Sequence, residues 1–534
     1  MALTFIQSIA MRVKDYFGGL LLSMTLALGC LATRAQPVSI PDPGLEAAIR
    51  AALNKPTGTL DLSDMLLLVN LDASRRNISR LDGLETAANL SLLNLEMNQL
   101  TNVSIPGQLT NLALVDLSFN QLTNCAIPSG LTKLASFTVE GNGLSSLDLP
   151  GDLNALTNLV VENNDLTAFE LPTNLTGLVS FDIAFNVLTN FSLPPGLTNL
   201  ASLNIDGNFI TNFTLPADLY RLTDLNLSEG QLTNLVVPAT LTHLESLDLE
   251  FDQLTSLTLP DTLTSLEDLD LEGNRFTGLS LPSNLTSVDF LGLRGNQLTN
   301  FAVPADMSQL RSLDLGENNL SDVTLPGTLH SLASLRISDN TNLFNLVFPP
   351  GLTKLTGMFL RSNGLTNLAL SPDMARLGFV DAINNRFSTF TLPPGLVSLT
   401  NLFLGFNQLT TLTIPPGITQ LNALGVNDNP FTTLILSKPL AEASMAPTVA
   451  ALLSQGVSVF TYPLALTMNS PGLTHDNKLT FSLAGPPGIY SVLGSSNLVN
   501  WDNLGSTTNV FGVAAFTDTN AASSPQKFYR LRSP

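Results

Sequence analysis

The feature that most constrains this chain is an asparagine that returns every 22 residues. Gly230 and Asp252 replace it in two consecutive units, and one extra residue near Thr341 shifts the series by one. With Arg76 in the first slot, the pattern defines seventeen units between about residues 71 and 431. A period of this length indicates an array of stacked structural units rather than a set of unrelated domains. The asparagines are Asn98, Asn120, Asn142, Asn164, Asn186, Asn208, Asn274, Asn296, Asn318, Asn340, Asn363, Asn385, Asn407 and Asn429.

Each unit is predicted to contain a short strand, a turn and a returning segment. Before the asparagine, a Leu-x-Leu pattern has period two, so its leucines point inward and the residues between them point outward. Stacked copies of this strand form a parallel sheet. The asparagine is expected to be internal, because its side-chain amide can bond backbone groups that the turn exposes. Prolines with the same period, from Pro106 to Pro326, mark the end of the outer segment, since proline cannot donate to a sheet.

The repeat frame resembles the leucine-rich repeat family, as in Val115, Leu117, Asn120, Leu122 and Pro128. That resemblance implies an α/β solenoid dominated by β structure. The expected form is a horseshoe of about 17 units with a parallel sheet on its concave face. A small C-terminal β-sandwich module is expected as well, because short alternating runs split by Gly and Pro follow the array.

Composition and turn signals divide the chain into five parts. Residues 1–35 have the pattern of a signal peptide. Arg12 and Lys14 precede an apolar run, and Ala35 ends a cleavage site with small residues. A lipoprotein acylated at Cys30 is the alternative. The other parts are an N-terminal helical cap (36–70), the leucine-rich repeats (71–436), a C-terminal cap (437–463) and the small β module (464–534).

Both caps have their own sequence signals. Turn residues followed by helical apolar spacing predict a helix from Asp42 to Leu53 that seals the first repeat. The stretch Leu62–Leu84 resembles the N-terminal cap of internalin-type bacterial repeat proteins. At the other end, Pro439–Ser454 is predicted to be a helix and Val457–Tyr462 a final strand. The runs that resemble a terminal module of secreted bacterial repeat proteins are Gly488–Val492, Asn497–Trp501, Phe516–Asp518 and Phe528–Leu531.

The net charge argues against some classes of partner, and more than half of it lies in one stretch of the chain. The 23 basic and 43 acidic residues give a net charge of -20, which repels nucleic acid and anionic membranes. After the signal region, no apolar run is long enough for a transmembrane segment. Between Leu222 and Asn274 there are eleven acids and no Lys or Arg, so this stretch supplies more than half of the net charge.

The outward strand positions, four and two residues before the asparagine slot, form the predicted binding surface. Asp248, Glu250, Asp270 and Glu272 are expected on adjacent strands, on a grid of about 5 Å. Three hypotheses remain for them: a solvated face that keeps the protein soluble, a Ca²⁺ site, or a docking patch for a basic partner. The candidate partner-binding residues are Asp182, Asp206, Asp248, Glu250, Asp270, Glu272, Arg294, Arg336, Phe359 and Arg361.

A second periodicity involves aromatic residues. Phe119, Phe185 and Phe251 precede the slot at 66-residue intervals. Duplication of a block of three repeats explains this spacing. An aromatic contact with a partner is the alternative.

Catalytic chemistry has no evident site in the sequence. His243, His330 and His475 are far apart, and Cys125 occupies an apolar slot of its repeat. No phosphate loop or zinc motif is present. We therefore expect a secreted or cell-surface protein that binds a protein partner, with no enzyme activity and no cofactor. A polysaccharide-binding or structural adhesin and an unrecognised hydrolase are the alternatives.

Overall fold

The structure is a computed structural model that describes residues 36–476, 478–521 and 526–533. The predicted signal peptide of residues 1–35, including Cys30, lies outside the described residues. The chain forms two compact units, of which the first ends at Val187 and the second begins at Leu188.

The described residues of the first unit form six short inner strands that run parallel, one for each of the first six predicted repeats. Neighbouring strands pair in register, so that Leu71 lies beside Leu93 and Leu93 beside Val115. These central residues are almost fully buried, while the residues on either side of Leu93 and Val115 are half-buried. The strands are Asn70–Asp72, Leu92–Asn94, Leu114–Asp116, Ser136–Thr138, Asn158–Val160 and Ser180–Asp182; an outer pair is Asn102–Ser104 and Asn124–Ala126.

The predicted N-terminal helix is present as Pro43–Ala52. Asp42 caps it, because Asp42 Oδ1 accepts hydrogen bonds from the backbone amides of Gly44 and Leu45 at 2.9 and 3.1 Å. The second carboxylate oxygen of Asp42 accepts from the Ser79 amide at 2.8 Å, which ties the helix to the first repeat. Two shorter elements follow, an α-helix Leu62–Met65 and a 3₁₀ helix Leu84–Thr86.

The described residues of the second unit include eleven inner strands that run parallel, again one for each predicted repeat. The predicted parallel-strand solenoid is therefore confirmed within each unit. The inner strands are Ser202–Asn204, Asp224–Asn226, Ser246–Asp248, Asp268–Asp270, Phe290–Gly292, Ser312–Asp314, Ser334–Arg336, Gly357–Phe359, Phe379–Asp381, Asn401–Phe403 and Ala423–Gly425. The outer strands are Asn234–Val236 with Ser256–Thr258, Asn300–Ala302 with Asp322–Thr324, and Thr411–Thr413 with Thr433–Ser437.

Twelve of the fourteen slot asparagines are buried, as predicted, and Asn142 and Asn429 are half-buried. These side chains link successive repeats. Asn120 Nδ2 donates to the carbonyls of Leu95 and Leu117 at 3.0 and 2.9 Å. Its Oδ1 accepts from the Leu100 amide at 3.1 Å. Buried backbone groups that lack a partner destabilise a fold, so one amide side chain per repeat stabilises both its own turn and the preceding repeat.

The residue before the slot has left-handed backbone geometry, which explains the composition at that position. Phe119, Phe185 and Phe251 have φ of 53°, 50° and 53°, and glycine takes the same conformation at Gly141 and Gly273. Each of these phenylalanines is more than 40% exposed. Phe251 lies over Gly273 of the next repeat, where an added Cβ would come within 2.4 Å of the ring.

The C-terminal cap differs from the prediction in one respect. Pro439–Ser454 is not one helix but two, Lys438–Glu442 and Ala446–Ser454. In a continuous helix, the ring of Pro447 would clash with the carbonyl of Ala443, so the chain breaks between them. The final strand is Ser458–Tyr462, and it pairs in parallel with Thr433–Ser437.

The C-terminal residues form two antiparallel sheets of three strands each, as expected for a small β module. Asn497–Trp501, one of the runs that resemble the terminal module, forms a turn between two strands of this region. Asn497 Oδ1 accepts from the amides of Val499 and Asn500, which holds the turn closed. One sheet contains Thr467–Leu473, Leu479–Ala484 and Val513–Asp518; the other contains Asp502–Asn509, Gly488–Ser495 and Phe528–Arg532.

Among the described helices, none is both long and apolar enough to cross a membrane.

Candidate functional site

The exposed side of the inner strands is the candidate binding surface, and we call it the ladder face. It consists of the residues four and two positions before each slot. The alternation that defines it is present: Leu247 and Leu249 are buried, whereas Asp248 and Glu250 between and after them are partly exposed. The parallel register places equivalent residues of neighbouring repeats side by side, so Asp248 lies beside Asp270.

An acidic patch forms on the ladder face of the second unit. One carboxylate oxygen each from Glu250, Asp270 and Glu272 lies within 4.8 Å of the others. Asp248, the fourth residue of the predicted patch, is not part of this trio, but its negative charge raises the pKa of Glu250. The backbone fixes the aspartates, because Asp248 Oδ1 accepts from the Glu250 amide and Asp270 Oδ1 from the Glu272 amide.

Crowding of these acids disfavours their charged forms. The pKa of Glu250 is raised to about 7, mainly by burial and in addition by the negative charges of Asp248, Asp270 and Glu272. Burial is also the largest cause that raises the pKa values of Asp248 and Asp270. The pKa of Asp206 is raised mainly by burial, although the Ser228 hydroxyl donates to its carboxylate. A cationic group from outside the chain would stabilise the charged forms of these residues.

Two of the predicted basic residues are already paired with acids. Arg294 lies 3.8 Å from Glu272 and also forms a short ion pair with Glu317. Arg361 Nη2 lies 3.1 Å from Asp381 Oδ2. Arg294 therefore borders the acidic patch and partly neutralises it, whereas Arg361 belongs to a separate pair.

Arg336 and Phe359 are brought together on neighbouring strands. The Arg336 guanidinium lies over the Phe359 ring, 4.6 Å from its centroid. Phe359 is followed by Phe379 and Phe403, with ring centroids 5.0 and 5.7 Å apart along this row. Phe379 was not among the predicted site residues, because its position six residues before the slot lies outside the pattern that was used.

Asp182 belongs to the first unit and has a different environment. It lies on the ladder face there, at the end of the strand Ser180–Asp182. Burial raises the pKa of Glu140, and the negative charges of Asp182, Asp116 and Glu96 add to this effect. The first unit thus has acids of its own on the ladder face.

Asp252 is a buried acid that was not among the predicted site residues. It occupies the asparagine slot and is only 4% exposed. Burial raises its pKa to about 7. Its Oδ2 has no hydrogen-bond partner among the described residues. The preceding slot holds Gly230, which lines a small cavity. The space open to the centre of a water molecule is about 10 Å³ there, which is near the minimum that one water molecule needs.

Cys125, His243 and His330 lie in different repeats. Cys125 is buried, and burial raises the pKa of its thiol to about 12. His243 Nδ1 lies 3.0 Å from the Tyr220 carbonyl, whereas His330 lies against Gly351 of the next repeat. Within the described parts of the chain, the acidic trio is the one group of three or more His, Cys, Asp or Glu residues close enough to hold a metal ion.

Comparison with known proteins identifies the repeats. The sequence profile of the BspA type leucine rich repeat region matches in several copies, which span residues 95–202, 163–274, 271–379 and 315–428. No curated protein sequence matches the chain.

Three solved structures are similar over most of their length. The functional domain of InlJ from Listeria monocytogenes, which includes a cysteine ladder, is 19% identical, with a TM-score of 0.58; the match covers 83% of this chain and 94% of that one. A leucine-rich repeat protein from Leptospira interrogans is 26% identical, with a TM-score of 0.51 and coverage of 70% and 95%. YopM from Yersinia enterocolitica is 25% identical, with a TM-score of 0.51 and coverage of 75% and 94%.

Proposed function

Since the chain belongs to the BspA-type leucine-rich repeat family, we propose that it is a protein-binding scaffold whose ladder face holds a partner. Leucine-rich repeat solenoids typically present such a surface to other proteins. The acidic patch of the second unit is the proposed centre of the contact, and the partner segment that lies on it is basic.

The close approach of three carboxylates carries this proposal. Glu250, Asp270 and Glu272 hold oxygens within 4.8 Å of one another, and burial together with the neighbouring negative charges raises the pKa of Glu250 to about 7. The carboxylates of the patch therefore repel one another when they are all charged. A Lys or Arg side chain of a partner would relieve that repulsion and form charge-assisted hydrogen bonds. Solubility needs only exposed acids, which the outer segments supply without such crowding, for example at Asp261 and Asp306.

The proposed location is the outside of the cell or its surface. The signal-like sequence of residues 1–35 supports it. A partner would then be an extracellular or cell-surface protein.

The test compares capture of proteins from the native extracellular medium by three forms of the chain. The ladder-face variant carries Asp248→Asn, Glu250→Gln, Asp270→Asn and Glu272→Gln. The outer-face variant removes the same number of charges through Glu170→Gln, Asp261→Asn, Asp306→Asn and Asp322→Asn, all at exposed positions away from the ladder face.

We expect wild type and the outer-face variant to capture the same basic protein, and the ladder-face variant to lose it. Equal capture by all three forms would show that the acidic patch only keeps the protein soluble. Capture of polysaccharide in place of protein would favour the adhesin hypothesis.

A further inference from the structure

A second depression on the ladder face lies beyond the acidic patch, and we call it the Arg336 pocket. Its volume is about 200 Å³, and its lining holds Phe359 and three arginines, Arg294, Arg336 and Arg361, together with four acids, Asp314, Glu317, Asp339 and Asp381. A cavity of this size holds one side chain more readily than a large ligand. Arg294 and Arg361 form ion pairs with two of these acids, Glu317 and Asp381, which leaves the third arginine to be explained.

Arg336 differs from the other two arginines because its charge is not matched by an acid. Arg294 pairs with Glu317 and Glu272, and Arg361 pairs with Asp381. Among the described residues, Arg336 forms no ion pair; its guanidinium rests on the Phe359 ring instead. Such stacking stabilises a guanidinium while it leaves the N–H groups at its edge free to donate.

Asp314, the nearest acid on the adjacent strand, does not form an ion pair with Arg336. Asp314 is the register partner of Arg336, but Asp314 Oδ1 accepts from the Gly316 amide at 2.9 Å. The orientation of Asp314 is therefore set by its own turn. Arg336 lowers the pKa of Asp314 through its charge, yet burial outweighs this and raises that pKa overall.

Glycine and phenylalanine shape the pocket. Gly316 leaves space beside Arg294, because an added Cβ would lie 3.6 Å from Arg294 Cγ and 3.1 Å from Asp314 Oδ1. On the other side, Phe359 begins the aromatic row that continues through Phe379 and Phe403. The Arg336 guanidinium thus adjoins an apolar strip.

We propose that the Arg336 pocket is a carboxylate-binding subsite, which takes an acidic side chain of the protein partner while a neighbouring apolar side chain packs on the aromatic row. The inference rests on the proposed function, since it describes a second part of the same partner. Arg and aromatic residues are also the types that contribute most to protein interfaces.

The geometry of the rings favours a peptide over an acidic polysaccharide. Phe359 and Phe379 are tilted by 33°, and Phe379 meets Phe403 at 61°. These angles do not provide one flat platform for successive sugar rings, whereas branched or aromatic side chains fit between tilted rings.

The spacing of the two subsites predicts the order of residues in the partner. Three strand steps separate the strands Asp268–Asp270 and Ser334–Arg336, which corresponds to about 14 Å. An extended peptide spans that distance in about four residues. The partner segment is therefore basic at one end and acidic about four residues away, with an apolar residue beyond the acid.

The test is selection from a library of random ten-residue peptides, displayed on phage and panned against the full chain. Wild type is compared with Arg336→Gln, which removes the unmatched charge. The matched control is Arg386→Gln, because Arg386 also lies over a phenylalanine, 5.3 Å from the Phe344 centroid, but outside the pocket. Equal thermal midpoints of the three proteins establish that each is folded.

We expect wild type and Arg386→Gln to enrich peptides with a basic residue and an acid about four residues apart. Arg336→Gln should bind a selected peptide at least about tenfold more weakly, as the loss of a charge-assisted hydrogen bond implies. Peptides with basic residues but no acid preference would overturn this inference and leave the proposed function intact. An acid preference that survives Arg336→Gln would also overturn it. Enrichment of no peptide at all would contradict both.

Discussion

Leu232 and Asp252 are joined by the same contact that slot asparagines make, with the Leu232 backbone amide donating to Asp252 Oδ1 at 2.9 Å. The second oxygen of Asp252 cannot reproduce the rest of the asparagine pattern. In the next repeat, Asn274 Nδ2 donates to the Leu249 carbonyl at 2.7 Å, whereas a carboxylate has no proton to donate. Asp252 is thus an interruption of the ladder directly behind the acidic patch.

Replacing this acid with the residue that the repeat calls for should stabilise the protein. Asp252→Asn keeps the acceptor for Leu232 and adds a donor for buried carbonyls. We expect the free energy of unfolding at pH 7 to rise by about 1–3 kcal/mol, measured by urea denaturation. Asn274→Asp is the reciprocal control and should lower it. A lower free energy of unfolding for Asp252→Asn would show that the second oxygen of the buried carboxyl is stabilised by another interaction.

The pH dependence of stability should run opposite to ordinary acid denaturation over part of its range. The folded-state pKa values of Asp252 and Glu250 are raised to about 7, above those of the unfolded chain, so the folded protein binds more protons between about pH 4 and 7. These groups stabilise the fold most below that window, and the contribution is lost as pH rises through it.

Chemical denaturation at pH 5 and pH 8 checks this prediction. The double variant Asp252→Asn with Glu250→Gln should show a smaller loss between the two pH values than wild type does. An identical loss in both proteins would place the titrating groups elsewhere.

The aromatic residues before the slot make a specific demand on the next repeat. Gly273 has φ of +70°, and its Cβ would lie 2.4 Å from Phe251. Gly273→Ala should therefore destabilise the protein by about 1–3 kcal/mol through backbone strain and displacement of the ring. Gly278→Ala, at a glycine with nothing within 4 Å of the added Cβ, should leave the thermal midpoint nearly unchanged. Equal effects would contradict the packing described for Phe251.

Ionic conditions should distinguish a basic partner from calcium at the acidic patch. A protein held by charge on Glu250, Asp270 and Glu272 should bind more weakly as NaCl is raised, since salt screens exposed charges. Binding should be unaffected by a calcium chelator. If a chelator abolishes capture and added Ca²⁺ restores it, the trio binds Ca²⁺, which is one of the three hypotheses drawn from the sequence.

The sequence predicted the parts of the structure that recur. The asparagine period identified the internal slot, the strand alternation and the number of units, because each repeat solves the same packing problem. Asp248, Glu250, Asp270 and Glu272 were expected on adjacent strands for the same reason, because all four have outward positions in the repeat; that they bind a partner or a cation stays a prediction. The isolated events were not predictable. The orphaned oxygen of Asp252 depends on carbonyls contributed by other parts of the array, and the stacking of Arg336 on Phe359 depends on side-chain rotamers.

The helix break in the C-terminal cap was missed for a local reason. Apolar residues recur at helical spacing across the break, whereas Pro447 is tolerated only in the first turn of a helix. The first helix therefore ends at Glu442 and the second begins at Ala446.

The most direct measurement asks which side of one repeat touches the partner. Benzoylphenylalanine, a photoreactive residue, is introduced at Asn226 on the ladder face or at Val236 on the outer strand of the same repeat, where the side chain is 63% exposed. We expect a cross-link to the captured basic protein from position 226 and none from position 236. A cross-link from position 236 alone would contradict the claim that the ladder face binds the partner.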